Sequence, residues 1–286
     1  VIDYDTIWPL VNWEKIRGFR NMALNPDHPT LAGSAQNPDV YFQNSEASNC
    51  SYDAFPGIVQ KIMDRVGEAI GRHYHLFDYA GHPEAEVVLV SIGSSCEVIR
   101  QTINVLDSMG YKVGAVNVRL FRPFSAESLM KIVPETVRTI VVLDRTKEPG
   151  AEGEPLFKDV ATATVMTGRT GIKVLGCRYG LSSKEFSPAM VKGVVDEALK
   201  PNPRRFFTVG ITDDVTHLSI DVDYGFQLSS VQPDGKPMCQ SVFYGMGSDG
   251  TVGATKQAAR IIVGNSGLYA QAYFSYSAKK SGRFTL

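Results

Sequence analysis

The chain lacks closely spaced cysteines. It has four, Cys50, Cys96, Cys177 and Cys239, and even the nearest two lie dozens of positions apart. No CxxC occurs, which excludes the usual zinc and iron–sulfur spacings. Four well-separated thiols read as reduced cysteines of an intracellular protein, and the formal glycosylation pattern Asn49-Cys50-Ser51 carries no weight there. Long apolar runs are also missing. The longest, such as Val87-Val88-Leu89-Val90, fall far short of the roughly 20 residues that span a bilayer and read as buried strands. No basic-then-apolar leader opens the chain. It starts at Val1 without Met and stops at Leu286 without a tail, so both ends are expected to be cuts in a longer protein. Net charge is nearly absent: 29 Lys and Arg stand against 30 Asp and Glu. A balanced chain is not drawn as a whole to phosphate backbones or anionic lipids, so no nucleic acid and no membrane partner is expected. Of five histidines only His73 and His75 are close. Residues two apart diverge, so no metal site is expected.

What is present is ordinary globular composition, 43% hydrophobic and 21% charged, in 286 residues. That length allows two domains and part of a third. Residues 1–50 are rich in Asn, Pro, Asp and Gly and read as irregular and turn-rich. Pro56 is expected to open a helix, with Val59, Ile62, Met63, Val66 and Ile70 on one apolar face. From residue 86 to about 200 the pattern becomes strand–helix alternation. Apolar strands are expected at 87–92, 112–118, 139–143 and 172–175. Ser94 and Glu97 form a capping box for a helix that Gly110 ends. Ser125 caps a short helix, and Ser187 with Pro188 opens another. Buried strands alternating with helices predict an α/β domain, a mostly parallel three-layer sheet. Pro201-Asn202-Pro203 reads as a linker. Beyond it, strands are expected at 206–211, 240–244 and 269–276, with a helix from about 251 to 263.

The sharpest local signal is Gly245-x-Gly247-x-x-Gly250, read as following a strand and opening a helix. Glycines let a backbone approach an anion, and a helix N-terminus offers free N–H groups and partial positive charge. A nicotinamide dinucleotide would call for an acidic residue about 20 positions on. No Asp or Glu occurs from Gly250 to Leu286, whereas Lys256, Arg260, Lys279, Lys280 and Arg283 do. Coenzyme A, with a pyrophosphate and a ribose phosphate, suits that balance. A structural strand–helix turn beside a solvated basic face explains the pattern equally well. The turn at Gly93-Ser94-Ser95 reads as structural, Cys96 as a packed thiol, and Lys147, Glu148, Glu152 and Glu154 as a solvated charged loop. No thiamine-diphosphate motif is present: Ser248-Asp249-Gly250 is the nearest approach to its Gly-Asp-Gly start, and Asn265 follows too soon.

Seven segments then occur in one order: 33–39 (GSAQNPD), 91–97 (SIGSSCE), 118–124 (VRLFRPF), 143–150 (LDRTKEPG), 178–186 (RYGLSSKEF), 213–216 (DDVT) and 247–253 (GSDGTVG). Together they resemble pyruvate:ferredoxin (flavodoxin) oxidoreductase. The resemblance implies an internal stretch of a long chain. Residues 1–82 would end the first domain, which binds pyruvate and thiamine diphosphate. Residues 83–203 would be a whole domain like the C-terminal domain of transketolase, and 204–286 the start of a coenzyme A-binding third domain. The parent would oxidise pyruvate with coenzyme A to acetyl-CoA and CO2, pass electrons to ferredoxin or flavodoxin, and form a homodimer. It would work in the cytoplasm or a mitochondrion-related organelle. Its catalytic residues would lie before Val1, and its diphosphate motif and iron–sulfur cluster cysteines beyond Leu286. This stretch would therefore bind neither thiamine diphosphate nor 4Fe–4S clusters, carry no catalytic or metal residue, and be inactive alone. Coenzyme A would meet Gly247, Ser248, Asp249, Gly250, Thr251 and Lys280. A carboxylate repels phosphate, so Asp249 is expected to cap the helix or to accept a ligand hydroxyl or amide. The chain departs from the family pattern at Thr255 and Arg283, where Asn and Gly are expected. Two other readings stay open: the same core in a pyruvate:NADP oxidoreductase, and a structural or interaction module.

Overall fold

The computed structural model describes residues 2–31, 33–228 and 238–276. One six-stranded sheet organises the centre of the chain: β1 (Phe77–Gly81), β2 (Val87–Ser91), β3 (Val113–Val118), β4 (Thr139–Asp144), β5 (Lys173–Arg178) and β6 (Phe206–Thr208). Their order across the sheet is β1-β3-β2-β4-β5-β6. β1 is antiparallel to β3 and every other pairing is parallel. The α/β class expected from the sequence is what forms. β2 and β4 are buried along their whole length. Buried on both faces, they have no polar side to show, which is why each reads as an unbroken apolar run.

Nine helices are described: α1 (Tyr4–Ile7), α2 (Trp13–Arg20), α3 (Pro38–Ala47), α4 (Asn49–Ile70), α5 (Cys96–Ser108), α6 (Ala126–Ile132), α7 (Pro155–Met166), α8 (Pro188–Ala198) and α9 (Thr251–Ser266). α5 and α8 cover one face of the sheet, where Ile99, Ile103, Leu106, Val191, Val194 and Val195 join the core. α6 and α7 cover the other through Leu129, Met130, Leu156 and Val160. The connection β2–α5–β3 crosses the sheet one way over the first face. β3–α6–β4 and β4–α7–β5 cross the other way over the second, so these three share one hand. β5–α8–β6 travels with the latter two but over the face of α5, and so has the opposite hand, an uncommon arrangement. Glu197, 2% exposed, fastens its end by accepting from Lys200 Nζ at 2.5 Å and from the Arg204 amide at 2.9 Å.

Several local expectations change. Residues 1–50 are not irregular throughout: they hold α1, α2, α3 and the start of α4. Pro56 lies inside α4 rather than at its start; its missing N–H costs one intrahelical bond there. Val59 and Met63 pack against the sheet's core, and the Gln60 side chain bonds the Tyr74 carbonyl and the Leu76 amide. The Ser94–Glu97 capping box does not form. Ser94 Oγ instead accepts from Arg145 at 2.6 Å, and Glu97 pairs with Arg100. Residues 240–244 and 269–276 are not strands, because among the described residues no strand lies alongside to bond them. Pro201-Asn202-Pro203 sits between α8 and β6, and the sheet continues past it: Phe207, Val209 and Ile220 are buried in the same core as α5 and α8.

Candidate functional site

The glycine turn lies at the N-terminus of α9, but no strand precedes it. Two residues there take left-handed backbone conformations, Ser248 with φ 65° and Gly250, the N-cap, with φ 87°. Gly250 is needed for the second, since side chains resist that region. Gly245 is required for a different reason. A Cβ there would stand 2.5 Å from Thr251 Oγ1 and 3.0 Å from Asp249 Oδ1. At Gly247 a Cβ would meet nothing within 4 Å, so that position faces open space.

Asp249 organises the turn. Its carboxylate accepts from the Met246 amide at 2.7 Å and from the Thr251 amide at 2.9 Å. The bonds from the Thr251 backbone, then the Thr251 side chain, then Met246, hold its carboxyl below the usual carboxylate range. Asp249 lies one residue before the N-cap, Gly250, and bonds the first amide of α9 from there, which has a consequence. The carboxylate already uses two amides that a phosphate would want. Gly247, Ser248, Asp249, Gly250 and Thr251 are brought together in one turn, and the expected sixth member, Lys280, lies outside the described residues.

α9 has no acidic residue in its first turn; the Asp249 carboxylate just before it, bonded to the Thr251 amide, is the charge that meets the positive end of its dipole. After Gly267, left-handed at φ 66°, the chain turns back. Residues 268–276 run without regular structure and bring the Phe274 ring to 5.5 Å from Lys256 Nζ. Lys256 stands about 7.5 Å along α9 from Thr251 at 1.5 Å per residue. The returning segment therefore runs back beside α9 as far as Lys256.

A second polar cluster lies at the carboxyl ends of β2, β4 and β5. Arg145 ties their loops together by donating to Ser94 Oγ at 2.6 Å and to the Gly180 carbonyl at 2.8 Å. Asp144, buried, accepts from the Leu156 and Phe157 amides and so caps α7. Burial raises its carboxyl pKa, against those two bonds. Glu154, also buried, meets Arg178 at 3.5 Å. Cys96 is buried with Sγ 3.3 Å from Ser91 Oγ, and burial pushes its thiol up. Cys177 is raised for the same reason, the opposite of what a reactive thiolate needs. Tyr179 donates to Ser95 Oγ at 2.7 Å. Every polar partner named here is internal, so the cluster braces loops. Reading along the sequence missed Arg145 as their tie; its position just past a strand's carboxyl end was the available signal. Among the described residues no three His, Cys, Asp or Glu side chains are grouped to hold a metal ion, and no helix is long and apolar enough to cross a membrane.

Comparison with known proteins bears on the whole chain. Residues 85–191 match the family profile of pyruvate:ferredoxin oxidoreductase core domain II. A pyruvate:ferredoxin oxidoreductase of Moorella thermoacetica is 54% identical over 286 residues, covering 100% of this chain and 24% of the relative. A pyruvate-flavodoxin oxidoreductase of Rhodospirillum rubrum is 48% identical over 99% of this chain and 24% of its own length. A pyruvate dehydrogenase (NADP+) of Cryptosporidium parvum is 46% identical over 100% of this chain and 15% of the relative. Among solved structures, a 2-oxoglutarate:ferredoxin oxidoreductase from Magnetococcus marinus, holding 2-oxoglutarate, coenzyme A and succinyl-CoA, covers 62% of this chain at 17% identity and a TM-score of 0.37. That is too distant to bear on the site. The chain spans about a quarter of the length of the ferredoxin- and flavodoxin-linked relatives it matches. Along its whole length, then, the chain belongs with a stretch of the pyruvate:ferredoxin and pyruvate-flavodoxin oxidoreductases.

Proposed function

We propose that this chain is the coenzyme A-holding part of an enzyme that oxidatively decarboxylates pyruvate. Pyruvate and coenzyme A become acetyl-CoA, CO2, a proton and two electrons, which pass to ferredoxin or flavodoxin. The observation that carries this reading is the 54% identity to a pyruvate:ferredoxin oxidoreductase across all 286 residues. The parent's thiamine diphosphate and iron–sulfur clusters are held outside this stretch, so the chain alone does not turn over pyruvate. Residues 1–82, 83–203 and 204–286 contribute to three successive domains of an intracellular, homodimeric parent. The sheet joins them, taking β1 from before residue 83 and β6 from after residue 203.

Coenzyme A is held by the turn Gly247, Ser248, Gly250 and Thr251, with Asp249 shaping it and Lys280 supplying positive charge. Open space at Gly247 and the absence of Asp and Glu beyond Gly250 in the sequence support this. Relatives of 45–54% identity include both electron-acceptor types, and the Cryptosporidium parvum relative favours NADP as a second reading of the acceptor.

The test belongs in the parent enzyme. Lys280→Ala is expected to raise the apparent KM for coenzyme A roughly tenfold, the usual worth of one charge-assisted contact, and to leave that for pyruvate unchanged. If the coenzyme A constant stays put, or only the pyruvate constant moves, the turn is structural. A purely structural or interaction module predicts no saturable binding of coenzyme A at all.

A further inference from the structure

We propose that Arg178, Thr208 and Glu154 form a binding site for a small zwitterion, an α-amino acid, at the carboxyl end of the sheet. Asp144, Arg178 and Thr208 are the last residues of β4, β5 and β6, and they are register partners in one row. Side chains of such partners stand on the same face. Asp144 bonds the start of α7 from there, which fixes the face for all three. Open α/β sheets bind their ligands just beyond this end of the strands.

Three groups in the row's surroundings are bonded less than their burial calls for. Thr208 is 6% exposed, and its hydroxyl has no partner among the described residues. The side chains of Arg178 and Glu154 are 15% and 6% exposed. Among the described residues their only polar side-chain contact is with each other, at 3.5 Å, the longest in the loop-bracing cluster. A well-made guanidinium–carboxylate pair is bidentate, at about 2.7–2.9 Å. Further back on the same face the surroundings are apolar. The Phe157 and Phe206 rings meet edge to face with centroids 4.9 Å apart, and a Cβ at Gly176 would stand 2.8 Å from the Phe206 ring. Unmet hydrogen bonds are most costly in such a setting. Buried polar groups are otherwise bonded, so a small polar occupant accounts for all three exceptions at once.

Charge selects that occupant. A plain anion would suit Arg178 and Thr208 but would face two buried carboxylates, Glu154 and Asp144. A plain cation would face Arg178. In a zwitterion the carboxylate takes the guanidinium fork and the Thr208 hydroxyl, and the ammonium takes Glu154, so no net charge is buried. Asp144 stays on the amides of Leu156 and Phe157. The site shares no residue with the glycine turn and does not depend on the coenzyme A reading.

The experiment is isothermal titration of the full 286-residue chain with glycine, the smallest such zwitterion, and separately with acetate and with methylammonium. It is run on the wild type, Thr208→Val and Arg178→Lys, with far-UV circular dichroism to establish that the variants fold alike. Thr208→Val removes only the hydroxyl, and Arg178→Lys keeps the charge beside Glu154 while losing the fork. The wild type is expected to bind glycine saturably and the two half-ligands at least tenfold more weakly. Each variant is expected to lose about tenfold for glycine. No saturable binding of glycine overturns the proposal. So does acetate or methylammonium binding as tightly as glycine, or an unchanged glycine affinity in either variant.

Discussion

Thr208 offers the most direct check on the packing described for the edge of the sheet. It is 6% exposed, and its Oγ1 has no hydrogen-bond partner among the described residues. β5 and β6 put Thr208 beside Arg178, with Phe206 on the same side of the strand. A buried hydroxyl without a partner gives up its bonds to water and regains none, a cost of about 1–3 kcal/mol. Thr208→Val replaces that oxygen by a methyl of nearly the same size and opens no cavity. Taking the low end for imperfect fit, the variant should be more stable by about 1 kcal/mol. For a folded unit of this size that corresponds to a midpoint higher by about 2–4 °C. Thr208→Ser keeps the hydroxyl and removes the methyl, so it should be less stable than wild type by about 1 kcal/mol. Differential scanning calorimetry of the three proteins decides. If Thr208→Val melts at or below the wild-type temperature, the hydroxyl is being satisfied and the reasoning about this edge is wrong.

Two further outcomes follow from the same core. The Arg169 guanidinium, 15% exposed, donates to the Val133 and Pro134 carbonyls at 2.8 and 2.7 Å just beyond the end of α6. Arg169→Ala should cost about 2 kcal/mol, seen as an earlier urea midpoint, and an unchanged midpoint would remove Arg169 from the account. For Glu197, burial raises the carboxyl pKa, but the bonds from Lys200 and Arg204 outweigh it and hold the group below its ordinary 4.5. A depressed carboxyl adds stability that is present above the unfolded value and is lost as pH falls through the folded one. Wild type should therefore be more stable than Glu197→Gln at pH 7, and the gap should narrow steadily as pH falls below the unfolded carboxyl value. A gap that does not narrow on acidification contradicts the ionised role.

Much of the fold is legible before any coordinates. β2 to β5 announce themselves as apolar runs, and the caps Ser125 and Ser187 do bond the first turns of α6 and α8. Both signals are local: a strand buried on both faces must be apolar throughout, and a cap acts within three residues. β1 and α7 escaped the same reading. Phe77–Gly81 is a short edge strand, largely half-buried, with no clean alternation. α7 follows a charged loop and is capped by Asp144, a residue on another element. Expected strands at 240–244 and 269–276 failed because a strand exists only with a neighbour to bond.

The candidate site divides in the same way. Sequence by itself determined the family, the run of glycines, the absence of acid beyond Gly250, and which side chains are available. Only tertiary structure decided which partner each side chain takes. Ser94 has the residue type and spacing of a cap, yet its hydroxyl is claimed by Arg145, 51 positions away. Asp249 occupies the amides of its own turn. Lys256 meets Phe274 because the chain reverses at Gly267. Propensity and patterning act over a few residues, whereas a hydrogen bond or a cation–π contact goes to whichever group the fold brings within reach.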